Sequence, residues 1–201
     1  MSTLNIPVNE KSWSLQEMAL EVIKLIKPNS SVNLGIGMPT MVSELIPKDM
    51  NLMIHSENGV LGVSKRPKKS EVSPTLINAG KETISVLNSA SFFDSSLSFG
   101  MIRGGHIDYC VLGGMEVDVH GNLANWMVPG KKITGMGGAM DLVNGAKTVI
   151  IMMNHFSKDG ELKLKQNCTL PLTGKNVVHF VVTEKGIFKP NGTEFEIIKL
   201  T

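Results

Sequence analysis

The sequence holds one carboxylate in a setting suited to chemistry. Leu52-Met53-Ile54-His55 reads as a short apolar strand, and Ser56-Glu57-Asn58-Gly59 follows at once, with Asn-Gly a strong turn signal. Such a turn holds the Glu57 side chain at the edge of a sheet, as a solvent-facing turn acid or as a reactive group. A second loop able to stabilise negative charge nearby favours the reactive reading. Gly135-Met136-Gly137-Gly138-Ala139-Met140-Asp141 is such a loop, because glycines entering a helix leave backbone N–H groups to converge on an anion or a developing oxyanion. Packing alone would also explain those glycines. A third loop, Gly35-Ile36-Gly37-Met38-Pro39-Thr40, begins like a dinucleotide fingerprint, and Glu57 stands twenty residues beyond Gly37, where a ribose-binding acid would fall. Against that reading, Thr40 replaces the third glycine and Pro39 removes an N–H from the phosphate site, so a plain strand-to-helix turn accounts for the motif equally well.

Other familiar chemistries are missing from the pattern. The five histidines, His55, His106, His120, His155 and His179, form no H-E-x-x-H, and there is no G-x-S-x-G elbow or Ser-His-Asp order. Each histidine taken singly reads as a structural group. Cys110 and Cys168 are far apart and lack zinc-ligand spacing; Cys110, inside the apolar run 107–112, reads as a buried and inert thiol. The 13 methionines sit at core-like positions and read as packing.

These loops need elements to position them. Ser14 with Glu17 makes a capping box, and Leu15, Met18, Ala19, Val22, Ile23, Leu25 and Ile26 follow at helical spacing before Pro28. Residues 31–37 form a strand that runs into a glycine turn; Pro39 starts a helix through Met41, Val42, Leu45 and Ile46, and Pro47 ends it. With the strand at 52–55, residues 31–56 make a βαβ unit, which implies parallel pairing. Further strands are expected at 107–112, 148–152 and 177–182, with another helix near 138–144. The fold class is therefore α/β, an open and mostly parallel sheet flanked by helices in one domain spanning 1–201. Ligands of such sheets collect at the carboxyl ends of the strands, which singles out the loops at 35–39, 56–62 and 135–141.

Composition narrows the function classes. With 20 Lys plus Arg against 18 Asp plus Glu, the net charge of +2 gives no field that would mark a nucleic-acid-coating protein. The start of the chain, 1–11, is polar, and no segment approaches the roughly 20 apolar residues of a membrane span, so a cytoplasmic protein is expected. Lys65-Arg66-Pro67-Lys68-Lys69 reads as a solvated basic loop, with attraction of a phosphorylated ligand as the second possibility.

Several motifs in order resemble the B subunit of family I CoA-transferases, which act on 3-oxoacids and short-chain fatty acids. They are Asn33-Leu34-Gly35-Ile36-Gly37-Met38-Pro39, Ser56-Glu57-Asn58-Gly59-Val60-Leu61-Gly62, Leu76-Ile77-Asn78-Ala79-Gly80-Lys81-Glu82-Thr83 and Arg103-Gly104-Gly105-His106. Gly121-Asn122-Leu123-Ala124-Asn125-Trp126, the stretch 135–143 and Cys168-Thr169-Leu170-Pro171-Leu172-Thr173-Gly174 continue the series, so the resemblance covers nearly the whole chain.

The resemblance implies that Glu57 is a covalent nucleophile, forming in turn an acyl anhydride and a glutamyl-CoA thioester. A glutamate, with a reference pKa of about 4.3, needs no base to ionise at neutral pH. It also implies oxyanion donation from the backbone around Gly137 and Gly138, Asn33 beside the glutamate, Lys81 near the CoA moiety, and Gly35 and Gly37 in the substrate-binding loop. Without the resemblance, Asn33 reads as a turn-facing hydrogen-bonder and Lys81 as a solvated lysine at a helix start. The implied partners are an A subunit that completes the site, an acyl-CoA and a short carboxylic acid, with no nucleic acid or membrane. No tightly bound cofactor and no metal are implied; coenzyme A is a substrate. An isolated chain is expected to be inactive and to carry an exposed apolar face. One departure follows Gly62: the family continues with Gly-Pro and an acidic stretch, whereas here the basic segment 63–69 intervenes. Two other readings remain, a dinucleotide-binding protein and a catalytically silent binding chain.

Overall fold

The structure, a computed structural model, describes residues 10–201, with the backbone alone at Lys132; most of the polar start of the chain lies outside the described residues. Helix α1 (Leu15–Leu25) begins at the expected box: the Glu17 N–H donates to the Ser14 hydroxyl at 3.2 Å and the Ser14 N–H donates to the Glu17 carboxylate at 2.7 Å. Its apolar stripe, including Met18, Ala19, Val22 and Ile23, is buried.

The βαβ unit follows as β1 (Ser31–Leu34), α2 (Thr40–Leu45) and β2 (Met53–Ser56), with β1 and β2 parallel and Asn33 beside His55. A tight turn reverses the chain into β3 (Val60–Val63), and β4 (Val86–Phe92) pairs antiparallel with it. Next come α3 (Ser95–Arg103), β5 (Tyr109–Leu112) and the short strands β6 (Glu116–Asp118), β7 (Leu123–Ala124), β8 (Met127–Val128) and β9 (Lys132–Ile133). The chain ends with α4 (Ala139–Gly145), β10 (Thr148–Met152), β11 (Leu164–Lys165), β12 (Phe180–Thr183), β13 (Gly186–Pro190) and β14 (Phe195–Leu200).

Nine strands make one sheet in the order β14-β13-β12-β10-β5-β1-β2-β3-β4. Neighbours from β12 to β2 run parallel, and antiparallel hairpins finish both ends. The α/β class and the parallel centre are as expected. Both end hairpins are additions to the expectation: β4 is exposed over most of its length, so its sequence carries no apolar alternation to announce it.

From β1 the parallel order runs one way to β2 and the other way to β5, so the loops leaving β1 and β5 part company and open a crevice at the strands' carboxyl ends. Strand residues alternate between faces. Val32 and Ile54 pack into the core under α1 and α2, whereas the core under α3 and α4 holds Ile102, Cys110, Leu142 and Val143. Asn33 and His55 therefore point away from the α1 and α2 layer, toward α3.

A second, smaller sheet of β11, β6 and β7 is pinned by two buried carboxylates. Glu116 accepts from the N–H groups of Thr169 at 2.7 Å and Leu170 at 3.0 Å and from the Thr169 hydroxyl at 2.8 Å. Asp118 accepts from the N–H groups of His120, Asn122 and Cys168, each at 3.0 Å. Each buried carboxylate gathers several backbone N–H groups, so two side chains set the path of the 168–170 loop. Cys110 is fully buried, and burial pushes its thiol up, which agrees with the inert thiol expected.

Candidate active site

The reactive-turn candidate is a three-residue link between β2 and β3. The Gly59 N–H closes it on the Ser56 carbonyl at 3.0 Å, and Gly59 has φ +114°. A Cβ there would overlap the Phe93 carbonyl oxygen, so the position demands glycine for conformation and for space. The Phe93 N–H returns a bond to the Gly59 carbonyl at 3.0 Å, which ties the turn to the chain entering α3.

Glu57 is partly exposed at the head of this turn. Its Oε2 accepts from Asn33 Nδ2 at 3.1 Å, so β1 supplies a donor to the carboxylate. The glycine loop comes in from the other side: a Cβ built on Gly138 would lie 3.1 Å from Glu57 Cγ, 3.3 Å from Oε1 and 3.4 Å from the Phe99 ring. Only a backbone without a side chain approaches the carboxylate this closely. Among the described residues no acceptor takes the N–H of Gly137 or Gly138. Asn33, Glu57 and the Gly137–Gly138 backbone, separated in sequence, thus meet at the carboxyl ends of β1 and β2.

Behind this cluster lies a histidine that single-residue reasoning left as structural. His55 is buried; its Nδ1 lies 3.1 Å from Asn33 Nδ2 and its Nε2 lies 3.0 Å from Ser98 Oγ of α3. Burial holds its pKa down at about 4, so the ring is neutral at physiological pH. Phe93 stacks nearly parallel to it, 13° between planes. Helix α3, which brings Ser98 and Phe99 to the site, is missing from the sequence expectation. Its Ser-Ser-Leu-Ser-Phe-Gly run has weak helix propensity, and the readable signal is Asp94, whose carboxylate caps the Leu97 N–H at 2.8 Å.

The other nominated residues fall around this centre. Gly35 ends β1 with its N–H on the Val111 carbonyl at 2.8 Å. The Gly37 carbonyl accepts from the Thr40 hydroxyl at 2.7 Å, closing the turn into α2. Lys81 is exposed, and it is in a hairpin turn with φ +64°, which corrects the expectation of a helix start. That hairpin is fastened to the reactive turn twice: the Ala79 N–H donates to Ser56 Oγ at 3.0 Å, and Asn58 Nδ2 donates to the Ile77 carbonyl at 2.8 Å.

The basic loop is solvated at its lysines, as expected, but its arginine is engaged. The Arg66 N–H donates to Glu44 at 3.1 Å and the guanidinium stands 3.5 Å from Glu82, at the rim of a cavity of about 310 Å³ on the α2 side of β2. Exposed apolar side chains include Ile36, Phe92, Leu97, Ile133 and Met136.

The sequence profile of the coenzyme A transferases matches residues 16–200. This chain belongs to the coenzyme A transferase family. Among CoA-transferases it is similar to the B subunit of the probable succinyl-CoA:3-ketoacid coenzyme A transferase of Bacillus subtilis, 54% identical over 173 residues, which cover 86% of this chain and 80% of that one. The β subunit of the acetate CoA-transferase of Escherichia coli is 49% identical over 174 residues, covering 87% of this chain and 79% of its own length. An acyl-CoA transferase apoenzyme from Escherichia coli O157:H7 superposes with a TM-score of 0.73 over 99% of this chain. The chain spans 39% of that longer protein, and at 18% identity the likeness establishes the fold. Family membership sets aside the dinucleotide-binding reading of the Gly35–Gly37 loop. No helix among the described residues is long and apolar enough to cross a membrane.

Proposed function

We propose that this CoA-transferase chain is a B-type subunit that moves CoA from an acyl-CoA to a short-chain carboxylate or 3-oxoacid such as acetoacetate, in keeping with relatives named for succinyl-CoA, 3-ketoacids and acetate, and with Glu57 as the covalent carrier. The observation that carries the reading is the meeting of Asn33, Gly138 and Glu57: a carboxylate held by a side-chain donor with backbone N–H groups beside it. A Glu57 oxygen attacks the thioester carbonyl and CoA leaves as thiolate, giving an acyl-glutamyl anhydride. The thiolate then attacks the glutamyl carbonyl and expels the first acid as its carboxylate, leaving glutamyl-CoA thioester. An acceptor carboxylate attacks that thioester, CoA leaves again, and its attack on the acceptor's acyl carbon releases the new acyl-CoA and restores Glu57.

Each addition places negative charge on a carbonyl oxygen, and the Gly137 and Gly138 N–H groups are the donors for it; one such donor is worth about 3 kcal/mol. Positioning supplies much of the remaining rate, because a carboxylate is a weak nucleophile. The proposed contact to CoA is Lys81, a role supported by the fastening of its hairpin to the Glu57 turn, with Gly35 and Gly37 in the proposed binding loop. An A-type subunit covers the crevice and its exposed Ile36, Leu97 and Met136. No resident cofactor takes part in the scheme, and the unpaired Cys110 and Cys168 suit a reducing cytoplasm.

Intact-mass and peptide-mapping spectrometry of the complex with its A-type partner, incubated with acetoacetyl-CoA and no acceptor, tests this. A CoA adduct on Glu57 that is lost in Glu57→Ala supports the mechanism. A complex that binds CoA without forming the adduct refutes it and points to a silent binding chain.

A further inference from the structure

We propose that His55 and Ser98 are positioning residues: together they fix which way round the Asn33 amide sits, and so which Glu57 oxygen is held and which is left to react. The proposal rests on the reading of Glu57 as nucleophile. Asn33 Nδ2 faces three groups at once, His55 Nδ1 at 3.1 Å, the His55 carbonyl at 3.3 Å and Glu57 Oε2 at 3.1 Å. The amide nitrogen has two N–H groups, one for Glu57 Oε2 and one shared between the His55 carbonyl and His55 Nδ1, and such sharing requires a lone pair on Nδ1. The proton of the neutral ring is then on Nε2, where Ser98 Oγ at 3.0 Å accepts it. The opposite tautomer would set an Nδ1–H against an amide N–H.

Asn33 Oδ1 supplies the second observation. It is buried and has no hydrogen-bond partner among the described residues, although the side chain's other polar atom has three within reach. An amide free to choose would turn its oxygen toward a donor, and none faces it here. Turned over, Oδ1 would meet the Glu57 carboxylate and the His55 carbonyl, which oppose the turn whatever the state of the ring, and an Nε2-protonated ring adds a third opposing lone pair where an Nδ1–H would instead reward the turn. Phe93, stacked on His55 with 13° between planes, holds the ring, and the Ser98 N–H on the Asp94 carbonyl at 3.1 Å holds the helix turn that carries the hydroxyl. Glu57 Oε2 is thereby tied to Asn33, and Oε1, on the Gly138 side, is the oxygen presented to the substrate carbonyl.

The test uses the complex with the A-type partner and the variants His55→Leu, His55→Gln and Ser98→Ala. In His55→Leu the rate of adduct formation on Glu57 and kcat fall together by about tenfold to a hundredfold, the scale for a nucleophile displaced by a fraction of an ångström, while KM for the acyl-CoA stays within about twofold. Ser98→Ala, a smaller change at a buried site, gives a weaker loss of the same kind. His55→Gln recovers most of the rate, because its amide offers an acceptor to Asn33 and a donor to Ser98. Nitrogen NMR of histidine-labelled complex reads the His55 tautomer directly, Nε2–H being expected. A His55 protonated on Nδ1, a His55→Leu complex with unchanged adduct rate, or a loss confined to KM overturns the proposal. If the wild-type complex forms no adduct on Glu57, it is the nucleophile reading that fails, and the tautomer still decides whether His55 sets the amide.

Discussion

The buried neutral His55 makes stability depend on acid in a calculable way. An unfolded histidine titrates near pH 6.5, whereas burial keeps the folded ring neutral down to about 4. Below pH 6.5 the unfolded chain takes up a proton that the folded chain refuses, so stability declines as pH falls toward 4 and the decline levels off below it. Two and a half pH units at about 1.4 kcal/mol each make the loss about 3 kcal/mol, a sizeable part of the 5–15 kcal/mol typical of a domain. Urea denaturation followed by the fluorescence of Trp13 and Trp126 at several pH values measures it, with His55→Gln as reference. His155 and His179, whose pKa values burial also lowers, and the carboxylates titrate in both proteins, so the difference between the two curves isolates His55. Curves that run parallel from pH 6.5 to 4, or that differ by less than about 1 kcal/mol, would refute the argument.

Three other substitutions probe the site and its supports. Gly138→Ala, whose Cβ would press on Glu57 Cγ at 3.1 Å, should shift the carboxylate and lower kcat by about a hundredfold with little change in folding, read by steady-state kinetics beside circular dichroism. Gly59→Ala meets the Phe93 carbonyl at a positive φ and should cost more than about 2 kcal/mol, seen as a lower urea midpoint; an unchanged midpoint would show that the turn is not the constraint described. Glu116→Gln removes one of the two carboxylate oxygens that together take three hydrogen bonds from Thr169 and Leu170, and should cost about 1–2 kcal/mol, with faster proteolysis near Thr169 as its local sign.

Sequence alone carried α1 and the βαβ unit at 31–56 because the pieces had unambiguous local causes: the capping box at Ser14 for α1, and prolines at both ends of α2 and Asn-Gly after β2 for the unit. The candidate site was nominated through motif resemblance, and the fold does bring Glu57, Asn33 and the Gly137–Gly138 loop together. His55 was not legible, since its role comes from what lies across two strands and under α3, and no spacing along the chain encodes that. Helix α3 was hidden by serines and a glycine whose weak propensity is overridden by packing. Lys81 was misplaced at a helix start because a lysine after Asn-Ala-Gly carries no sign of a positive-φ hairpin turn.

The sheet order also governs when in folding the chemistry appears. Asn33 and Glu57 are 24 residues apart, and His55 and Ser98 are 43 apart, so the carboxylate's donor and its support depend on contacts between distant segments. The β2–β3 hairpin, a local structure, forms early, whereas the parallel pairing of β1 with β2 and the docking of α3 require long loops to close. A partly folded chain therefore displays Glu57 as an ordinary surface acid. If Glu57 is the nucleophile proposed above, its donors and supports come together only in the completed tertiary structure, and a nascent chain is spared acylation while it is still searching for its fold.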